Sequence, residues 1–280
     1  MSGIESTESI LFPRFFRIGT TSFIVPDHII PNVIKLGPFF DEIELLVFES
    51  LPQEVLPSKE DVKTLLSLSR DLNLTYNIHL PTDISLASEC SEKRQAAADI
   101  YLRVIERFAP LHPSTHTLHL DMPRDIRQDG LSPNKMGNWI TTARKGISLL
   151  LSGISDPGII SIETLDYPFS YIEPLIREFH LSVCVDAGHQ ILYGHDLVQT
   201  FETHRSRVPL IHLHGVEGTG TKKKDHKALD TLSIGKIRKI NNILETFRGV
   251  VSLEVFNLDN LNRSLLFLSR YFQDVPSKIK

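Results

Sequence analysis

The chain has 280 residues, 41% hydrophobic and 23% charged, with 34 acidic against 30 basic side chains and a net charge of −4. Its mean hydropathy of −0.06 excludes a disordered polyelectrolyte and a membrane bundle, since no run approaches the roughly 18 apolar residues of a spanning helix. The acidic balance argues against a nucleic acid gripped through an overall positive field, and two cysteines, Cys90 and Cys184, exclude a disulfide framework.

In chain order, residues 1–13 read as an N-terminal extension and 14–280 as one domain. The first stretch carries Glu5 and Glu8 where a secretory leader needs basic residues, so the expected location is cytoplasmic. Short apolar runs bounded by turn residues predict strands at 17–23, 43–49, 74–80, 116–121, 159–164, 181–186, 209–214 and 250–256. Helical spacing follows each of them, at 27–36, 58–72, 88–109, 134–151, 168–179, 195–205, 228–248 and 258–272. Ser58 with Asp61, and Ser88 ahead of Ser91 and Glu92, are helix-start signals. Strict alternation implies right-handed crossovers and a parallel sheet. Eight repeats of about 33 residues, each the length of one βα unit, fit a single (β/α)8 TIM barrel. A two-domain dinucleotide-binding fold is the poorer fit, because no GxGxxG follows the first strand.

In such a barrel the active site lies at the C-terminal face, so the last residues of each strand carry the information. Strand 3 ends with His79, strand 4 with His119 and Asp121, strand 5 with Glu163, and strand 6 with Asp186 and then His189. Strand 7 ends with His212 and His214, and strand 8 carries Glu254. A lone buried histidine is usually just a satisfied core residue, but six strands supplying such residues at one rim need another account. Glu163, Asp186 and Glu254 would bring three carboxylates into one mouth, which is prohibitive without a counter-charge. The only strand offering Arg or Lys is the first, with Arg17 at its start. A divalent ion completed by imidazoles meets the need, and mixed nitrogen and oxygen ligands suit Zn, Mn, Fe or Co over Ca or Mg.

The segments IETLD around Glu163, VDAGH around Asp186 and His189, IHLHG around His212 and SLEVF around Glu254 resemble the xylose-isomerase-like barrels, which include sugar-phosphate isomerases and endonuclease-IV-type enzymes. The resemblance implies that Glu163, Asp186, His212 and Glu254 hold one metal. In the endonuclease-IV-type branch it implies a second on His79, His119 and the shared Glu163. A third would use His189 and His226, although Lys224 stands where that branch has an Asp and Asp225 adjoins His226. Two or three divalent ions, zinc or manganese, are therefore expected, with Glu163 and Glu254 as the carboxylates at the reacting centre.

Across residues 14–270, and most specifically in GTTSFIVPD and HLPTDISL, the chain is most similar to the cobamide-remodelling phosphodiesterases. That likeness implies a metal-dependent phosphodiesterase with a cobamide (corrinoid) substrate, cut to cobinamide phosphate and an α-riboside; the acidic balance and the lack of a long apolar run add the expectation of no nucleic-acid or membrane partner. The alternative is a sugar or sugar-phosphate isomerase or epimerase on the same barrel, using one metal. Glu49, His214 and Lys222 are the substrate-binding candidates. Glu49, like Glu44, faces the mouth or caps a strand, and Lys222, Lys223 and Lys224 follow a Gly-rich GVEGTG loop. Tyr76 and Phe23 either line an apolar wall for a corrin ring or pack in the core.

Overall fold

The computed structural model describes residues 11–47, 56–124, 126, 133–218 and 222–279. Eight strands close into a barrel: β1 (Arg17–Thr21), β2 (Glu42–Leu46), β3 (Thr75–His79), β4 (His116–Leu118), β5 (Ile160–Glu163), β6 (Ser182–Asp186), β7 (Leu210–Leu213) and, after a two-stranded hairpin, β10 (Val250–Leu253). Every neighbouring pair is parallel, and β10 returns to β1 with Gly19 opposite Ser252. Helices α1 (Ile29–Leu36), α2 (Lys59–Leu72), α3 (Ser91–Phe108), α4 (Pro133–Leu151), α5 (Glu173–Glu178), α6 (Ala187–Tyr193), α7 (Leu197–His204) and α8 (Ile234–Leu244) lie in the crossovers, and α9 (Leu258–Leu268) follows the last strand. Ahead of β1, Phe12 donates its N–H to Tyr271 and accepts from Gln273, at 2.8 and 2.9 Å, tying the two ends of the chain together. Among the described residues no helix is long and apolar enough to cross a membrane.

Strand alternation explains both the apolar runs and the polar mouth. Ile43 and Leu45, Ile160 and Ile162, Val183 and Val185, Ile211 and Leu213 join one core with the helices. Their neighbours face the lumen, where Cys184, Leu210 and Val250 form a separate apolar plug. At the N-terminal end Glu42 accepts from Asn77 Nδ2 (2.8 Å) and Ser114 Oγ (2.6 Å), and lies 3.0 Å from the Arg17 guanidinium. Tyr76 points outward and donates its hydroxyl to the Leu65 carbonyl at 2.9 Å, so of its two expected roles it takes core packing.

Local chemistry sets the helix starts. Ser58 and Asp61 form a reciprocal capping box at α2, as their spacing predicts. Helix α3 starts at Ser91, not near 88, because Ser85 draws the N–H groups of Ala87 and Ser88 into a turn. The predicted helix at 228–248 begins at Ile234, after a 3-10 turn at Leu229–Thr231. Beyond β7, where the sequence reads as a Gly-rich loop, β8 (Gly215–Glu217) pairs antiparallel with β9 (Lys224–Lys227). This hairpin carries His226 back over the mouth.

Candidate metal centre

Glu163 ends β5 with 1% of its surface exposed. Its Oε2 lies 3.3 Å from His79 Nε2 at the end of β3, 3.0 Å from His119 Nε2 just past β4, and 3.5 Å from His212 Nδ1 on β7. Its Oε1 is 3.2 Å from His189 Nδ1 on α6. Glu254, immediately after β10, places Oε2 3.3 Å from His212 Nδ1 and 3.5 Å from His226 Nε2. Asp186 ends β6 and caps α6 by accepting the His189 N–H at 2.7 Å, while its Oδ2 lies 3.1 Å from His189 Nδ1. The eight residues expected to bind metal thus converge on one cluster at the C-terminal ends of the strands.

Among the described residues the donor atoms fall into groups with ligand spacing: His79, His119 and Glu163; Glu163, Asp186, His212 and Glu254; Glu163, Cys184 and His212; and His189, His214 and His226. Among the described residues three buried donors, His189 Nδ1, His212 Nδ1 and Glu254 Oε2, face other donors of the cluster at 3.1–3.5 Å without forming a hydrogen bond of good geometry. Orphaned lone pairs aimed at one another are costly unless an electrophile lies among them. The residues present therefore fit a divalent transition ion. Cys184 fits poorly as a ligand, because burial pushes its thiol up to about 12.

The titration behaviour expresses the same need for positive charge. Burial alone would lower every imidazole here and raise every carboxyl. Against burial, the carboxylates of Asp186 and Glu163 lift His189 to about 10, and Asp225 and Glu254 lift His226 to about 10. His79 is raised by Glu163, and His212 stands well above the ordinary histidine range. Glu163 and Glu254 are held well below the carboxylate range by the imidazoles facing them.

Glu44 has a larger part than its place in the middle of β2 suggests. It reaches across the lumen to accept from His212 Nε2 at 2.8 Å and from Ser252 Oγ at 2.7 Å. The bond directs the Nδ1 lone pair of His212 toward Glu163 and Glu254, the role carboxylates commonly play behind metal-binding histidines. Its sequence signal is a second glutamate two residues after Glu42, placing both on the lumen face. Asp225, which adjoins His226, supports that ring in the same way, with Oδ1 3.2 Å from Nδ1.

The substrate-binding candidates diverge. His214 is 0% exposed, with Nε2 3.2 Å from Asp186 Oδ1, so it touches a carboxylate of the cluster and has no surface to offer substrate. Lys222 is exposed, and its neighbour Lys223 ties the hairpin to α6 through the Leu192 carbonyl. Glu49 lies outside the described residues. Phe23 is 43% exposed and meets Phe256 edge-on at 6.5 Å; Phe256 in turn lies 4.8 Å from His226, giving the mouth an aromatic edge.

The model of the xylose isomerase-like TIM barrel family matches residues 32–271. A protein named "Probable endonuclease 4" from Aster yellows witches'-broom phytoplasma is 26% identical over 184 residues, which span 56% of this chain and 58% of that protein. A solved D-tagatose 3-epimerase-like protein superposes with a TM-score of 0.71 at 18% identity, covering 91% of this chain and 97% of its own. A 3-keto-D-glucoside 4-epimerase from E. coli gives 0.68 at 14% identity, with 91% and 99% covered. A probable 3-DHS dehydratase from Bacillus anthracis gives 0.62 at 15%, with 86% and 93% covered. At these identities the solved structures establish the fold alone.

Proposed function

Because this chain belongs to the xylose isomerase-like TIM barrel family, we propose that it is a metal-dependent phosphodiesterase that hydrolyses the nucleotide loop of cobamides to cobinamide phosphate and an α-riboside. The observation that carries the hydrolytic reading is the sharing of Glu163 between two ligand groups, with His79 and His119 on the same oxygen that faces His212. A one-metal isomerase or epimerase needs only Glu163, Asp186, His212 and Glu254, and leaves the His79 and His119 pair to bind substrate hydroxyls. Divalent ions held by these groups would neutralise phosphate oxygens and bring bound water toward a pKa of about 7.

The chain's own residues supply the rest. Glu44 and Asp225 fix the rings of His212 and His226, and the buried carboxylates keep these imidazoles turned inward. Phe23 and Phe256 offer an apolar edge beside the cluster, suited to a large ring system carried by the substrate. The likeness to "Probable endonuclease 4" supports phosphodiester chemistry as the reaction class. The cobamide itself rests on the similarity of GTTSFIVPD and HLPTDISL, and the proposed setting is cytoplasmic, without nucleic-acid or membrane partners.

The test is mass spectrometry of a cobamide incubated with protein loaded with zinc or manganese. Cobinamide phosphate and the free α-riboside are expected, and His79→Ala should abolish them. Intact cobamide with every metal, together with epimerisation of a ketose by the His79→Ala protein, would replace this reading with the one-metal sugar reading. Nicking of an abasic duplex would bring nucleic acid back as the substrate.

A further inference from the structure

His214 lies between β7 and β8, fully buried, with its ring in the reach of His189 and His226. Three imidazoles so placed resemble a further ion site, but the hydrogen bonds on this ring assign it another role. The backbone N–H of His226 points at His214 Nδ1 from 3.0 Å. A peptide N–H keeps its proton, so Nδ1 must present a lone pair, and the neutral ring then carries its hydrogen on Nε2. The Gly215 carbonyl, 3.1 Å from the same nitrogen, would accept from the opposite tautomer, but an Nδ1–H there would set two N–H groups, its own and that of His226, against each other. Nε2 lies 3.2 and 3.3 Å from the two oxygens of Asp186.

We propose that His214 is a positioning residue for Asp186, locked as the Nε2–H tautomer and donating to that carboxylate, and is not itself a metal ligand. An Nε2 that donates to Asp186 has no lone pair left for an ion. This inference rests on the reading of the cluster as a metal centre, and it separates the residues that touch the metal from one that aims a ligand at it.

The surroundings hold the ring in this pose. Gly188, in the first turn of α6, lies flat beneath it; a Cβ there would come within 2.1 Å of His214 Cε1. His226 stacks on the other side at 4.4 Å and 25°. His226 also has a φ of +50°, a conformation disfavoured for a residue with a side chain, and its carbonyl accepts from Asn260 Nδ2 at 3.3 Å. That backbone pose is what turns the His226 N–H toward Nδ1. Asp186 is then held by the N–H of His189 on one oxygen and by the His214 ring, with its other lone pairs left facing the cluster.

The direct test is a long-range 1H–15N NMR spectrum of the zinc-loaded protein, with zinc affinity measured by chelator competition for His214→Ala and His214→Gln. The expected spectrum has a pyridine-type Nδ1 and a pyrrole-type Nε2 on His214. Loss of the ring should weaken zinc binding about 10–100-fold, and the amide N–H of His214→Gln should restore most of that affinity with the number of ions per chain unchanged. A pyrrole-type Nδ1, or loss of a whole ion in His214→Gln, would overturn the proposal. If the native chain binds no zinc, the metal reading fails separately; the tautomer is then read in the metal-free protein, where a pyrrole-type Nδ1 overturns the positioning role too.

Discussion

Replacing Glu163 by Gln tests the shared-ligand arrangement with an isosteric change. The carboxylate belongs both to the group with His79 and His119 and to the group with Asp186, His212 and Glu254, so one substitution removes a ligand from each. An ion that binds only the folded chain adds about 2.7 kcal/mol when free metal is about 100-fold above its Kd. For a chain of 280 residues, each kcal/mol corresponds to about 2 °C in Tm. Metal should therefore raise the Tm of the native protein by about 10 °C, that of His79→Ala by about 5 °C, and that of Glu163→Gln hardly at all. Differential scanning fluorimetry with and without zinc, with elemental analysis after dialysis, reads both quantities. A full metal-dependent shift in Glu163→Gln, or loss of both ions in His79→Ala, would refute the idea that Glu163 is common to two sites.

Glu44→Gln removes the charge behind His212 and is expected to lower affinity about 10–100-fold at the group containing His212, leaving the His79 and His119 group intact; equal weakening at both would contradict this. Burial holds the His116 imidazole down at about 4, below its unfolded value of about 6.5. Stability from this residue is thus complete above about pH 6.5 and falls toward pH 4, by up to about 3 kcal/mol. Urea unfolding across that range should show a shallower acid decline for His116→Phe, and parallel curves would count against it. On α4, a Cβ at Gly146 would lie 2.0 Å from the Leu86 carbonyl, whereas one at Gly137 meets nothing within 4 Å. Gly146→Ala should cost about 1–3 kcal/mol or more and Gly137→Ala should be neutral or stabilising by up to about 1 kcal/mol, a difference that denaturant unfolding of the two variants resolves.

The eight strands were legible because nearly all of their residues are buried, so that each reads as a short, largely apolar run bounded by turn residues. The rim was legible for the same reason: His79, Glu163, Asp186, His212 and Glu254 interrupt apolar runs at the strand ends. Glu44 was only half legible. A glutamate inside a strand looks like an edge or a cap, and its partner His212 is 168 positions away on the other side of the lumen. The β8–β9 hairpin escaped because GVEGTG and the three lysines after it read as a Gly-rich loop, while its pairing depends on the close approach of Gly215 to Ala228. His214 shares the face of His212 by parity, yet its burial comes from the returning hairpin and from the missing side chain of Gly188, neither of which leaves a mark near His214 in the sequence.

Anomalous diffraction at the zinc edge from crystals of the loaded protein examines the shared Glu163 most directly. The account predicts two peaks flanking the Glu163 carboxylate, one among His79 and His119 and the other among Asp186, His212 and Glu254. One peak confined to the latter four residues, with His79 and His119 free of metal, would contradict it.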